Sequence, residues 1–213
     1  MLPGATQTLP FVTAASYPLV KSRATTNSAP STTHSINLPT GIVAGDLLLM
    51  LVGASGITGV SAGWTALDAL SALYRIADGT ETPPTITVGP SAVNLTAVVY
   101  RIANYSGVPQ SASIVTGASA TTHDPPALSP SWGLKNTLWF AQGTCPTNTV
   151  TSFASTPANY TDADFLAPPV PGASTNLLWV GRRSLAAATE DPSAFTTAAG
   201  IGCRVRTIGV AVT

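Results

Sequence analysis

Short apolar stretches separated by turn residues run along the whole chain, and their period is that of strands. Ser35-Ile36-Asn37-Leu38 and Thr85-Ile86-Thr87-Val88 alternate polar with apolar residues, the pattern of a strand with one wet face. Asp46 to Val52 differs: it is apolar without a break after its first residue, which predicts a strand buried on both faces. Ala72 to Ile76 alternates less strictly, and Asn94 to Ile102 predicts a longer strand. Pro39-Thr40-Gly41, Gly53 to Gly63, Asp78-Gly79 and Gly89-Pro90 punctuate these runs as turns. The best helical candidate, Leu185 to Glu190, spans about one and a half turns, too short to stand alone. Regular short strands with such punctuation predict a sandwich or barrel.

The chain also echoes itself. Leu38 to Gly53 lies without gaps on Leu128 to Gly143, so that Asp46 falls on Asn136, Leu48 on Leu138, Leu49 on Trp139 and Gly53 on Gly143. Further on, Gly63-Trp64-Thr65 resembles Asn159-Tyr160-Thr161, Leu73-Tyr74-Arg75 resembles Leu178-Trp179-Val180, and Thr80-Glu81-Thr82-Pro83 resembles Thr189-Glu190-Asp191-Pro192. Order is kept while loop lengths vary, as a duplicated β unit requires. The expected fold is therefore all-β: a two-sheet antiparallel sandwich, jelly-roll-like, with internal duplication. One domain over 1–213 is expected, with repeat halves at about 16–107 and 108–213. The repeated Asp or Asn ahead of the Leu run would cap its own turn, and the Pro of the Thr-Glu-x-Pro signal would end a strand.

The same ordered signals carry a resemblance. Gly45-Asp46-Leu47-Leu48-Leu49, Gly63-Trp64-Thr65, Leu73-Tyr74-Arg75, Val98 to Ile102, Asn136 to Phe140, Pro157 to Thr161 and Thr189 to Pro192 together resemble a β-sandwich module of tailed-bacteriophage virion proteins, also seen in bacterial surface proteins. The resemblance spans Ser16 to Val212. It implies a non-enzymatic component of a phage particle and supplies no catalytic residues.

Composition narrows the classes. Of 213 residues, nine are basic, nine acidic, and only 8% charged, against roughly 25% in an ordinary soluble domain. A nucleic-acid binder needs a basic footprint, which is missing here. Ser and Thr make up roughly a quarter of the chain and suit pleated, half-exposed surface. With zero formal charge, little electrostatic repulsion opposes self-association. No apolar run approaches the length of a membrane helix. The opening Met1 to Pro10 has no basic segment followed by an apolar one, so no signal peptide is expected. Cys145 and Cys203 are too few for a disulfide framework and match no zinc spacing; two buried free thiols are the expectation.

Candidate chemistry is sparse. His34 and His123 are the only histidines, and no G-x-S-x-G elbow accompanies them; both read as surface or turn residues. Asp162 and Asp164 could share a strand face and hold calcium, although a solvated loop is the preferred reading. Glu81 and Glu190, at matched places in the repeat, favour structural ion pairs with Arg75 and with Arg182 or Arg183. Gly53, Gly56 and Gly59 lack the Gly-Lys-Ser/Thr of a phosphate loop. Trp64, Trp139 and Trp179 read as core, whereas Trp132, in a Pro-Ser-Trp-Gly turn, is the plausible exposed aromatic. Trp132, Asp162 and Asp164 are thus the candidate ligand or partner contacts. No catalytic residue, cofactor or metal is expected. The expected role is a capsid decoration or cement protein of a tailed-phage virion. Its partners would be major capsid or tail proteins and further copies of itself, with neither nucleic acid nor membrane. The alternative is a tail- or fibre-associated module for glycan binding or host adhesion.

Overall fold

The computed structural model describes residues 16–116, 120–146, 153–167 and 176–213. The first half supplies β1 (Leu19–Ser31), β2 (Thr33–Ser35), β3 (Leu47–Gly53), β4 (Ile57–Val60), β5 (Thr65–Ala66), β6 (Ala72–Ile76), β7 (Thr85–Val88) and β8 (Val93–Ala103). The second opens with β9 (Ser106–Ser111), β10 (Val115–Thr116), β11 (Ala120–His123) and β12 (Lys135–Pro146). It closes with β13 (Phe153–Ser155), β14 (Thr161–Leu166), β15 (Asn176–Ala187), β16 (Phe195–Ile201) and β17 (Arg204–Ala211). No helix occurs among the described residues. Leu185 to Ala187, the start of the expected helix, instead ends β15, paired residue for residue with β12. There the ladder outweighs a local helical preference too short to nucleate.

Strand order makes the duplication explicit. One large sheet runs β1-β8-β3-β6-β5 and the other β10-β17-β12-β15-β14, with β9 also on β17. Two small sheets run β2-β7-β4 and β11-β16-β13. Each half is thus a two-sheet antiparallel sandwich, and the second repeats the first strand for strand. Gly63 and Asn159 repeat even the backbone, with φ of 88° and 63° just ahead of β5 and β14. That left-handed conformation is open to Gly and tolerated by Asn.

The two sandwiches stack back to back. One core cluster mixes Leu47, Leu49, Leu51, Val98 and Tyr100 of the first large sheet with Leu138, Phe140, Leu178, Val180 and Ile208 of the second. The opposite face of the first large sheet, through Leu48, Met50, Val52 and Val99, packs on Ile36, Ile86 and Val88 at its small sheet. Phe195 and Leu177 do the same in the second half. Both large sheets are therefore internal layers, which is why all seven residues of β3 are buried. The unbroken apolar run at Asp46 to Val52 reads correctly as a strand with no wet face.

The gap-free echo is one residue out of true register. Leu49 faces the other half, whereas its match Trp139 faces outward with Tyr160 and Trp179. The ladders pair Leu49 with Tyr74 and Phe140 with Arg182, and Thr65 with Tyr74 and Thr161 with Arg182. Phe140, not Trp139, is thus the counterpart of Leu49. A slip of one residue inverts every side chain on a strand, and an apolar run buried on both faces does not reveal it. The expected cap also holds only once. Asp46 Oδ2 accepts the Val43 amide at 2.9 Å, but Asn136 instead donates to Ser16 O at 2.9 Å.

Cys145 and Cys203 form a disulfide, contrary to the free thiols expected. Thr144 pairs with Arg204 across β12 and β17, which sets Cys145 opposite Cys203, with Cα atoms 4.2 Å apart. Their separation of 58 positions in sequence hides this contact, because only the ladder register creates it.

Candidate functional site

Where the two halves meet, the start of β1 and the strands β14 and β15 leave an open cleft of about 590 Å³, with Pro18 to Arg23 on one wall, Thr161, Asp162 and Arg182 to Ser184 on the other, and Leu138 between. Its polar groups form one connected set. Asp164 is buried; it holds Arg23 Nε at 2.9 Å and accepts the phenol proton of Tyr100. Burial, reinforced by the Asp164 carboxylate, pushes the Tyr100 phenol well above its ordinary value, so it stays a donor. Arg182 lies across the Tyr100 ring, 5.1 Å from its centroid, a cation–π placement in a largely desolvated setting. Its nearest carboxylate oxygen, on Asp162, is 3.8 Å away.

Asp162 and Asp164 share neither a face nor an environment. A register shift between Thr161 and Asp164 interrupts β14, and Asp162 takes a left-handed φ of 48°. The bulge cancels the alternation on which the shared-face reading depends. Asp162 turns to solvent, with 74% of its side chain exposed, while Asp164 keeps 5%. The solvated loop thus fits Asp162 alone. No group of three or more His, Cys, Asp or Glu able to hold a metal gathers among the described residues. Trp132 is half-buried: it folds down onto Gly209, where an added Cβ would sit 3.2 Å from its ring. The Glu81 and Glu190 pairs are present as expected, Arg75 to Glu81 at 3.5 Å and Arg183 to Glu190 at 3.1 Å. Each carboxylate also accepts hydrogen bonds from elsewhere in its own half. Glu81 takes the amides of Asp78 and Gly79, and Glu190 takes the Tyr160 hydroxyl.

Both histidines depart from the surface reading. His34 is the central residue of β2, bonded through Nδ1 to Ser28 Oγ; His123 ends β11, bonded through Nε2 to Thr197 Oγ1. Only 2% and 3% of each is exposed. They pair with Ile86 and Phe195, at corresponding places in the two small sheets, and burial lowers the pKa of both. Short polar segments around each hide the burial in the sequence. Arg206 is also buried, in the seam between the large sheets, where Nη2 donates to Ser71 Oγ at 2.6 Å. Burial pulls its pKa down to about 10, which leaves it a cation at neutral pH.

Sequence pattern does not gather Arg182, Arg23 and Lys21 into a cleft. The one local signal is Arg182-Arg183, the only adjacent pair of basic residues in the chain; the rest depends on β1 crossing the second half.

Exposed apolar side chains mark another surface. Among the described residues six large ones are at least 40% exposed, Leu134 at 72% and Val43 at 53% among them. Leu19 pairs with Ala103, and Ile76 with Leu47; Val43 and Leu134 precede β3 and β12, and Val108 lies in β9 beside the end of β17. Ser16 binds both Asn104 and Asn136, so these strand ends of the two halves lie together. Five of the six are therefore at one end of the molecule, and only Phe165 is elsewhere. No family model, curated protein or solved structure matches the chain.

Proposed function

We propose that this chain is a non-enzymatic structural protein of a tailed-phage virion that decorates the capsid through protein–protein contacts, as a symmetric oligomer. The observation that carries the reading is the gathering of Leu19, Val43, Ile76, Val108 and Leu134 at one end of the doubled sandwich. Exposed apolar residues scattered singly are ordinary, whereas a collection at one place is the mark of a docking surface. The charge pattern supports it: Arg23, Arg75, Arg101 and Arg183 each pair with an acid of the same chain. The outside is thus less charged than the composition, and suits packing against neighbouring protein faces.

A double substitution, Val43→Asp with Leu134→Asp, tests this. Co-sedimentation with the source particle should fall by roughly tenfold or more, the equivalent of 1.4 kcal/mol, with the thermal midpoint unchanged. Unaltered co-sedimentation, or a wild-type chain that stays monomeric and never associates with the particle, sinks the proposal.

A further inference from the structure

We infer that the cleft between β1 and the β14–β15 pair binds a sugar bearing a carboxylate, such as a uronate unit of an acidic polysaccharide. This site adjoins the apolar end and shares Leu19 with it, but neither Val43 nor Leu134 lines it. It keeps the glycan alternative but moves it away from Trp132, whose ring is occupied with Gly209.

The first ground is the state of Arg182. Its side chain is nine-tenths buried, and its closest carboxylate oxygen stands at 3.8 Å, beyond hydrogen-bond distance. Its Nε reaches the Asp162 carbonyl only at 3.5 Å. A guanidinium that lines the cleft with such distant acceptors keeps donor capacity open toward it, and its planar fork matches a carboxylate in a two-point contact. Asp164 does not fill that role, because its oxygens are engaged by Arg23 and Tyr100. Stacking on Tyr100 fixes the fork in place, so little order is lost when an anion arrives.

The second ground is what surrounds the cation. Ser22, Thr161, Ser184 and Asp162 line the same cleft. A bare anion gains nothing from an exposed carboxylate at the rim and is repelled by it. A ligand with one acid group and several hydroxyls uses both: the acid goes to Arg182, and the hydroxyls donate to Asp162 and exchange hydrogen bonds with the serines and threonine. Lys21, which lines the mouth and faces no acid among the described residues, adds a second cation suited to the next charge along a repeating polymer. A volume of about 590 Å³ lies within the range of small-molecule sites.

Calorimetry on the intact protein, with three small probes, tests the assignment. Methyl glucuronide should bind saturably. Methyl glucoside, which lacks the charge, and the amide of N-acetylglutamate, which lacks the ring hydroxyls, should each bind roughly tenfold more weakly or not at all. Arg182→Gln should abolish the preference for glucuronide over glucoside. Asp162→Gly, which removes the carboxylate at an exposed position and tolerates its left-handed φ of 48°, should bring glucuronide and the glutamate amide closer together. No saturable binding of glucuronide at about 10 mM, equal binding of glucoside, or equal binding of the glutamate amide would each overturn it. The last result would make the cleft a seat for a protein carboxylate. Val43→Asp with Leu134→Asp should leave glucuronide binding intact, so this proposal and the assembly proposal can fail separately.

Discussion

A methyl group on Gly143 would sit 2.5 Å from Cζ of Phe195, and one on Gly181 would sit 2.6 Å from Cζ2 of Trp179. Both rings are fully or almost fully buried, so neither can swing aside. Gly143→Ala should therefore cost about 1–3 kcal/mol through overpacking, read as a lowered denaturation midpoint; an unchanged midpoint would mean Phe195 is free to shift. The two imidazoles predict a pH dependence. Burial depresses the pKa of His34 and His123 in the fold, whereas an unfolded histidine titrates near 6.5. Their stabilisation is thus complete above about pH 6.5 and is lost as pH falls toward the depressed folded values. Urea midpoints should decline between about pH 7 and pH 5, by at most about 1.4 kcal/mol per pH unit for each histidine. A flat profile in the wild type, or an unchanged slope in His34→Gln with His123→Gln, counts against this account. Polar neighbours make such residues look exposed in sequence, and only the covering strands bury them.

Elements were legible where a strand's burial follows from its own residues. The seven buried residues of β3, the alternation of β7 and the length of β8 could all be read locally. Ser35 to Leu38 was read too far, since β2 ends at Ser35. Pairing was less accessible. The echo located the second half's strands but set β12 one residue off and β15 three, since Arg182 rather than Trp179 is the counterpart of Tyr74; an apolar run without polar interruptions carries no face label. The disulfide belongs to this scale, since it spans neighbouring strands β12 and β17. Replacing both cysteines with serine should cost about 2–4 kcal/mol, the usual range for a link that closes a long loop. Chemical denaturation of the double variant against the oxidised wild type measures it. Equal stability would show that the ladder alone holds these strand ends.

Over the whole molecule, the central seam governs folding. Leu47, Leu49, Leu51, Val98 and Tyr100 of one large sheet are buried by Leu138, Phe140, Leu178, Val180 and Ile208 of the other. A half expressed alone would expose its entire set, at about 25 cal/mol for each Å² of apolar surface left wet. The first half alone, 16–107, should lack cooperative unfolding, and mixing it with 108–213 should restore a single transition. A sharp, independent transition in the isolated fragment would refute this dependence. Strand type, doubling and the Arg75–Glu81 and Arg183–Glu190 pairs were set by local pattern and repetition, because alternation, turn residues and matched spacing act within a few residues. The four-layer stacking, the inversion of the echo, the Cys145–Cys203 bond, the buried histidines and the Arg182 cleft were decided by tertiary structure alone. Each depends on which face of one sheet meets which face of another, and nothing in a single strand records its partner.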